Sequence, residues 1–201
     1  MIRMSPSKFR LRRIFRSSVL KVANPFIRRG IHPNTITYLT LLLAFLSFLV
    51  LVIFQNQILY GALVFLVGFF DGVDGAVARG TGKSSAKGGF TDSFVDKVSE
   101  AIILLAIPLA YPTALILGVH VETWAFVCLA GWLLTSYARS RADALGIEDL
   151  DIGLGARSER LFILFVFSIL FLIEVGLVCV TIVGVGTACY RFVHYRQQIQ
   201  D

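Results

Sequence analysis

The sequence predicts an all-α integral membrane protein, with six transmembrane helices preceded by an amphipathic interfacial helix and both termini in the cytoplasm. Three observations carry this expectation. The 201-residue chain is 56% hydrophobic, with a mean hydropathy of +0.76, too apolar for an ordinary soluble domain. Only 16% of its residues are charged, and several runs approach the ~20 apolar residues that cross a bilayer. All 19 Lys and Arg fall in segments that six spans would put on one side.

Residues 1–33 form a basic juxtamembrane segment with nine Lys and Arg and no acid. On a helical wheel Leu11, Ile14, Phe15, Ser18, Val19 and Val22 share one face, and Arg10, Arg12, Arg13, Arg16 and Lys21 fill the other. Such a helix suits the headgroup plane, with anionic membrane lipids rather than nucleic acid as its partner. The first apolar run begins only near Thr35 and has the length of a full span, which argues against a cleavable secretory signal.

Residues 34–201 form the six-helix transmembrane domain. Span one covers about 35–54 and ends at the turn-like Gln55-Asn56-Gln57; span two runs from about 58 to 79. Span three runs from about 90 to 110, stopping near Pro112, and span four covers about 122–145. The last two share 158–195, with a division expected near residues 174–176. The loops at 55–57, 111–121 and 174–176 then contain no Lys or Arg, so the positive-inside rule puts both termini and the two long polar loops in the cytoplasm. The protein is expected in the plasma membrane as a multi-pass protein whose polar loops face the cytoplasm. Cys128, Cys179 and Cys189 lie in apolar runs without a CxxC spacing and read as small packing residues. His32, His120 and His194 have no partner at metal-ligand spacing.

The chemistry is concentrated at the cytoplasmic ends of spans two and three. Asp71, Asp74, Gly75 and Ala78 stand at i, i+3, i+4 and i+7, on one helix face. Gly88, Asp92 and Asp96 recur at i, i+4 and i+8 on the next helix. A short polar loop joins the two, so antiparallel neighbours would bring four aspartates together. Carboxylates so crowded repel until protons or cations neutralise them, and an all-carboxylate ligand set favours Mg²⁺ or Mn²⁺, one ion or two. Gly75 and Ala78 leave room for a ligand to approach the backbone, and Arg79 adds a cation suited to phosphate.

Written out, Asp71-x2-Asp74-Gly75-x2-Ala78-Arg79-x8-Gly88-x3-Asp92-x3-Asp96 resembles the signature of the CDP-alcohol phosphotransferase (CDP-alcohol phosphatidyltransferase) family at all eight fixed positions. Pro33-Asn34-Thr35-Ile36-Thr37 resembles the family's entry to its first helix, and the likeness covers essentially the whole chain. The resemblance implies transfer of a phosphatidyl-type group from a CDP-lipid to an alcohol, with release of CMP. It implies that Asp71, Asp74, Asp92 and Asp96 bind Mg²⁺ or Mn²⁺, two per active site, and that Asp96 is the general base on the acceptor. Asn34, Thr37, Asp74, Gly75, Ala78, Arg79 and Gly88 would hold the CDP moiety. A homodimer is implied by the resemblance alone.

Residues 136–161, "SYARSRADALGIEDLDIGLGARSERL", gather hydroxyl and basic groups on the cytoplasmic side of spans four and five. They resemble the branch of the family that uses inositol 1-phosphate to make phosphatidylinositol phosphate or its archaeal ether-lipid (archaetidylinositol) counterpart. That likeness assigns Ser136, Arg139, Arg157 and, in span six, Arg191 to the acceptor's phosphate. The bacterial pattern more often has Lys at the position of Arg139, and Pro at that of Ser158. Glycerol 3-phosphate is the rival acceptor, and a divalent-cation transporter the rival from another class. Carboxylates clustered at one helix end, with no internal repeat, argue against the transporter.

Overall fold

The computed structural model describes residues 14–150, 152–153 and 155–199. The arginines at 10, 12 and 13 and the other residues before Ile14 lie outside that range. The fold is helical: α1 (Arg16–Arg28), α2 (Pro33–Phe54), α3 (Gln57–Thr81), α4 (Ala86–Ala110), α5 (Val121–Ala144), α6 (Arg157–Ile169) and α7 (Ile173–Arg196). Spans one to four are thus found as helices whose ends differ from expectation by at most four residues.

Local chemistry sets those ends. His32 Nδ1 accepts from the Asn34 amide and Pro33 occupies the first turn, where its missing N–H costs nothing, so α2 starts there. Asn56 and Ser85 cap α3 and α4 through side-chain oxygens, at 2.9 Å from Leu59 N and 3.0 Å from Gly88 N. Gly82, with φ +66°, closes α3 in the left-handed region, leaving only residues 82–85 between the two aspartate-bearing helices.

The last pair of helices divides at residues 170–172, not at 174–176. Phe171 (φ +58°) turns the chain, and Leu172 N bonds back to Phe167 O. Glu174 belongs to the first turn of α7, where a carboxylate complements the helix dipole. Gly176 is a packing position, since a Cβ there would stand 2.7 Å from Phe167 Cβ on α6. Residues 111–121, expected as a plain loop, include a two-stranded hairpin, Leu115–Ile116 (β1) against Val119–His120 (β2). Its tip, Leu117 and Gly118, has positive φ at both positions, as a tight hairpin turn requires.

Ala44, Tyr60, Val64, Ile103, Ile107, Cys128, Trp132, Leu164, Leu177 and Val180 join in one core that reaches from α2 to α7. Cys128 is buried there, Cys179 is partly buried and Cys189 lies on the chain's surface; all three are free thiols. Around this core lies a broad apolar exterior, with Phe45, Phe54, Leu105, Phe126 and Phe192 each about half exposed or more. Among the described residues, three helices are long and apolar enough to cross a bilayer: α2, α3 and α7. With its all-helical fold, this makes the chain a membrane protein.

Helix α1 packs on the end of α3 that carries the aspartates. Ala23 is fully buried, and Val19, Val22, Phe26 and Ile27 pack around it and around Val73, Ala76 and Val77 of α3. The apolar face drawn from the sequence holds at Phe15, Val19 and Val22; Ile14 and Ser18 are exposed.

Candidate active site

Asp71 and Asp74 reach inward from the last turns of α3, and Asp92 from the second turn of α4. One carboxylate oxygen from each of these three lies within 4.8 Å of the others, a spacing one cation can span. Thr37 on α2 donates to Asp74 Oδ2 at 3.2 Å, holding that side chain in a 5% exposed position. Asp96, one turn beyond Asp92, joins through a cation: Arg157 Nη1 lies 2.6 Å from both Asp71 Oδ1 and Asp96 Oδ1. The four aspartates expected to converge therefore do so as a triad plus a neighbour bridged by arginine.

The network extends to Glu100, which is wholly buried. Its carboxylate lies 2.8 Å from Lys97 Nζ, 3.4 Å from Arg157 Nε and 3.5 Å from Arg160 Nη2. Arg160 in turn lies over the Trp132 ring, 4.4 Å from its centroid. Five carboxylates (Asp71, Asp74, Asp92, Asp96, Glu100) thus face three cations (Lys97, Arg157, Arg160), leaving two negative charges in excess. An all-oxygen donor set with that excess fits a divalent cation of the Mg²⁺ or Mn²⁺ kind.

Two cavities flank the cluster. The first, about 680 Å³, lies between α1, α3 and α6; Asp71, Asp74, Gly75, Arg79 and Asp92 form its polar wall and Phe15, Phe65 and Phe162 part of its apolar wall. Over Gly75 a Cβ would meet Arg79 Nη1 at 3.3 Å, so the guanidinium folds back across the glycine. Among the described residues its walls do not include Ala78, which is partly buried on α3. Asn34 comes to this region from the start of α2, with Oδ1 3.5 Å from where a Cβ on Gly88 would stand.

The second cavity, about 670 Å³, lies between α4, α5, α6 and α7. Asp96 lines it together with Ser136, Arg139, Arg157 and Arg191, so the residues singled out for an acceptor's phosphate share one chamber. Arg191 is 7% exposed and donates to Thr135 O at 2.8 Å and Ile152 O at 3.2 Å, tying the 145–156 connection to α5. Ser136 Oγ bonds to Trp132 O at 3.3 Å. Ser158 lines both cavities, and α6 starts at Arg157 with serine in its first turn.

Sequence reasoning missed Lys97, Glu100 and Arg160. A signal existed for two of them: Glu100 continues the 88-92-96 spacing by one turn, and Arg160 lies three residues past Arg157 on the same face of α6.

The chain is 35% identical to the archaetidylinositol phosphate synthase of Pyrococcus horikoshii over 171 residues, 85% of this chain and 87% of that protein. It is 32% identical to the archaetidylinositol phosphate synthase of Methanothermobacter thermautotrophicus over 145 residues, 69% of this chain and 70% of that one. The Mycobacterium tuberculosis phosphatidylinositol phosphate synthase, solved in complex with manganese and citrate, shares the fold. Its TM-score is 0.74 at 22% identity, covering 89% of this chain and 88% of that one. The sequence model of the CDP-alcohol phosphatidyltransferase family matches residues 30–192. A four-aspartate helix pair in a membrane fold, matched over most of its length, makes this chain a member of the CDP-alcohol phosphatidyltransferase family, a transferase of phospholipid biosynthesis.

Proposed function

We propose that the protein transfers the phosphate-linked lipid of a CDP-lipid, diacyl or archaeal diether, to the hydroxyl of inositol 1-phosphate, releasing CMP. The observation that carries this reading is the junction of the two cavities. Asp71 belongs to the first and Asp96 to the second, and one guanidinium nitrogen of Arg157 lies 2.6 Å from both. A donor on one side and an acceptor on the other would meet there. The acceptor chamber carries Lys97, Arg139, Arg157, Arg160 and Arg191 against Asp96, Asp143 and Glu159, a net positive charge suited to an acceptor that bears phosphate.

Asp96 accepts the proton of the attacking hydroxyl. The hydroxyl oxygen forms its bond to the phosphorus of the lipid phosphate, and the pyrophosphate P–O bond breaks, its electrons leaving with CMP. Ser136, Arg139, Arg157 and Arg191 hold the acceptor's phosphate so that the hydroxyl stays in reach of both Asp96 and the donor. Asn34, Asp74, Gly75, Arg79 and Gly88 hold the CDP moiety, and Thr37 acts through Asp74. Mg²⁺ or Mn²⁺, two per active site on Asp71, Asp74, Asp92 and Asp96, would neutralise the pyrophosphate and stabilise departing CMP. The domain reading of a basic segment at 1–33 and a six-helix catalytic unit at 34–201, with both termini and the site on the cytoplasmic face of the plasma membrane, follows from the one-sided charge. A homodimer is proposed on the family likeness.

The test supplies purified enzyme with Mg²⁺, a CDP-lipid and either inositol 1-phosphate or glycerol 3-phosphate, and measures CMP. Release with inositol 1-phosphate is expected. Release with glycerol 3-phosphate alone would overturn the acceptor, and no release with any alcohol would overturn the reaction.

A further inference from the structure

Glu100 is 0% exposed, one turn deeper than Asp96 on the same face of α4. A carboxylate taken so far from water is tolerated only with cations and donors around it. Three meet it: Lys97 at Oε2 (2.8 Å), and Arg157 Nε (3.4 Å) and Arg160 Nη2 (3.5 Å) at Oε1. Arg160 is itself 2% exposed, and its Nε and Nη1 make no hydrogen bond among the described residues. Its position is therefore set by Glu100 on one side and by the face of Trp132 on the other. That ring is fixed in turn, since Trp132 Nε1 donates to Val180 O at 3.3 Å.

Arg157 feels carboxylates on two sides. Nη1 lies 2.6 Å from Asp71 and Asp96, while Nε lies 3.4 Å from Glu100 Oε1, an ion-pair distance without a hydrogen bond. Its Nη2 is buried and makes no hydrogen bond among the described residues. Both arginines line the second cavity; among the described residues Glu100 does not.

We propose that Glu100 is a positioning residue for the acceptor: it holds Arg157, and the more deeply buried Arg160 behind it, in one wall of the second cavity, where their positive charge is fixed toward the acceptor's phosphate. This rests on the functional reading above. Glu100 touches no substrate and acts through the arginines. Without its charge, Arg157 keeps only its Asp71 and Asp96 anchors, and the Nε side of the guanidinium is no longer held in the cavity wall.

The test uses the full-length enzyme with four variants: Glu100→Gln, Arg157→Ala, the two combined, and Glu100→Gln with Arg160→Gln, which removes both members of a buried ion pair. Acceptor KM, CDP-lipid KM, kcat and thermal unfolding are measured for each. Glu100→Gln is expected to raise the inositol 1-phosphate KM about tenfold, the scale of one weakened charge-assisted contact, with little change in the CDP-lipid KM. On the Arg157→Ala background it should add less than about twofold, because the group it positions is gone. A merely structural role would instead multiply the two defects or depress every parameter together, and either result overturns the proposal. If Glu100→Gln does not fold, the charge-neutral pair Glu100→Gln/Arg160→Gln decides, read against a fifth variant, Arg160→Gln alone: an acceptor KM raised above that of Arg160→Gln supports the proposal and one no higher refutes it. A wild-type enzyme that releases no CMP overturns the functional reading itself. A working wild type with an unaffected Glu100→Gln variant overturns only the role of Glu100.

Discussion

Arg157→Ala should produce two opposite shifts, because one guanidinium serves both halves of the site. On the acceptor side the variant loses a charge-assisted hydrogen bond, worth about 1.5–3 kcal/mol. At ~1.4 kcal/mol per decade, the KM for inositol 1-phosphate rises roughly 10- to 150-fold. On the metal side the sign reverses. Arg157 Nη1 lies 2.6 Å from two of the carboxylates, and its removal turns an excess of two negative charges into three. Unit charges about 4 Å apart at an effective dielectric of ~20 interact by ~4 kcal/mol, so even heavy screening leaves room for a tenfold gain. The Mg²⁺ concentration for half-maximal rate should fall by about tenfold at low salt. Arg157→Lys keeps the charge but not the planar fork, so it should show the acceptor defect with a nearly normal Mg²⁺ requirement. The assay is CMP release, titrating inositol 1-phosphate at saturating CDP-lipid and then Mg²⁺ at saturating acceptor. An unchanged acceptor KM, or a Mg²⁺ requirement that rises, would refute the reasoning.

Asp96→Asn should lower kcat by about 10²–10⁴, the usual contribution of a general base, while Mn²⁺-dependent binding of CDP-lipid persists; turnover at the wild-type rate would remove Asp96 from that role. Chelation with EDTA should abolish CMP release, and Mg²⁺ or Mn²⁺ should restore it; restoration by Zn²⁺ but by neither of these would contradict an all-carboxylate site. Gly184→Ala should destabilise the fold by about 1–3 kcal/mol, because the new Cβ would stand 2.5 Å from Trp132 Cδ1. Read as a thermal shift in detergent, an unchanged melting temperature would show that the indole can yield despite its bonds to Val180 and its contact with Arg160.

Much of this was legible in the sequence because its signals were local. Apolar runs of span length mark α2 to α5, and helical spacing puts Asp71, Asp74, Asp92 and Asp96 on facing surfaces. The cationic residues at 139, 157 and 191 line one chamber although they come from three different helices, α5, α6 and α7. What escaped depended on neighbours distant in the chain. The polar look of Glu174 and the smallness of Gly176 mimic a turn, yet the first complements a helix start and the second admits Phe167. Ala78 has the right periodicity for the donor cavity, but the position of α1 decides which residues of α3 remain in its wall. Glu100 has the period of the aspartates, but its burial among three cations depends on Arg157 and Arg160 reaching it from the start of α6.

Helix α1 meets α3 at two glycines: a Cβ on Gly72 would touch Val19 Cγ2 at 3.4 Å, and one on Gly80 would strike Ile27 Cδ1 at 2.5 Å. Positions 19 and 27 are eight apart, as are 72 and 80, and both pairs increase in the same direction. The two helices are geared like teeth in matching notches, and a one-turn slip would drive Val19 onto the methyl of Ala76. The wall of the first cavity is therefore indexed to the helix that carries Asp71 and Asp74. Moving α1 along α3 means driving Val19 and Ile27 out of these notches, so the part of the cavity wall that α1 supplies keeps its register with the two aspartates.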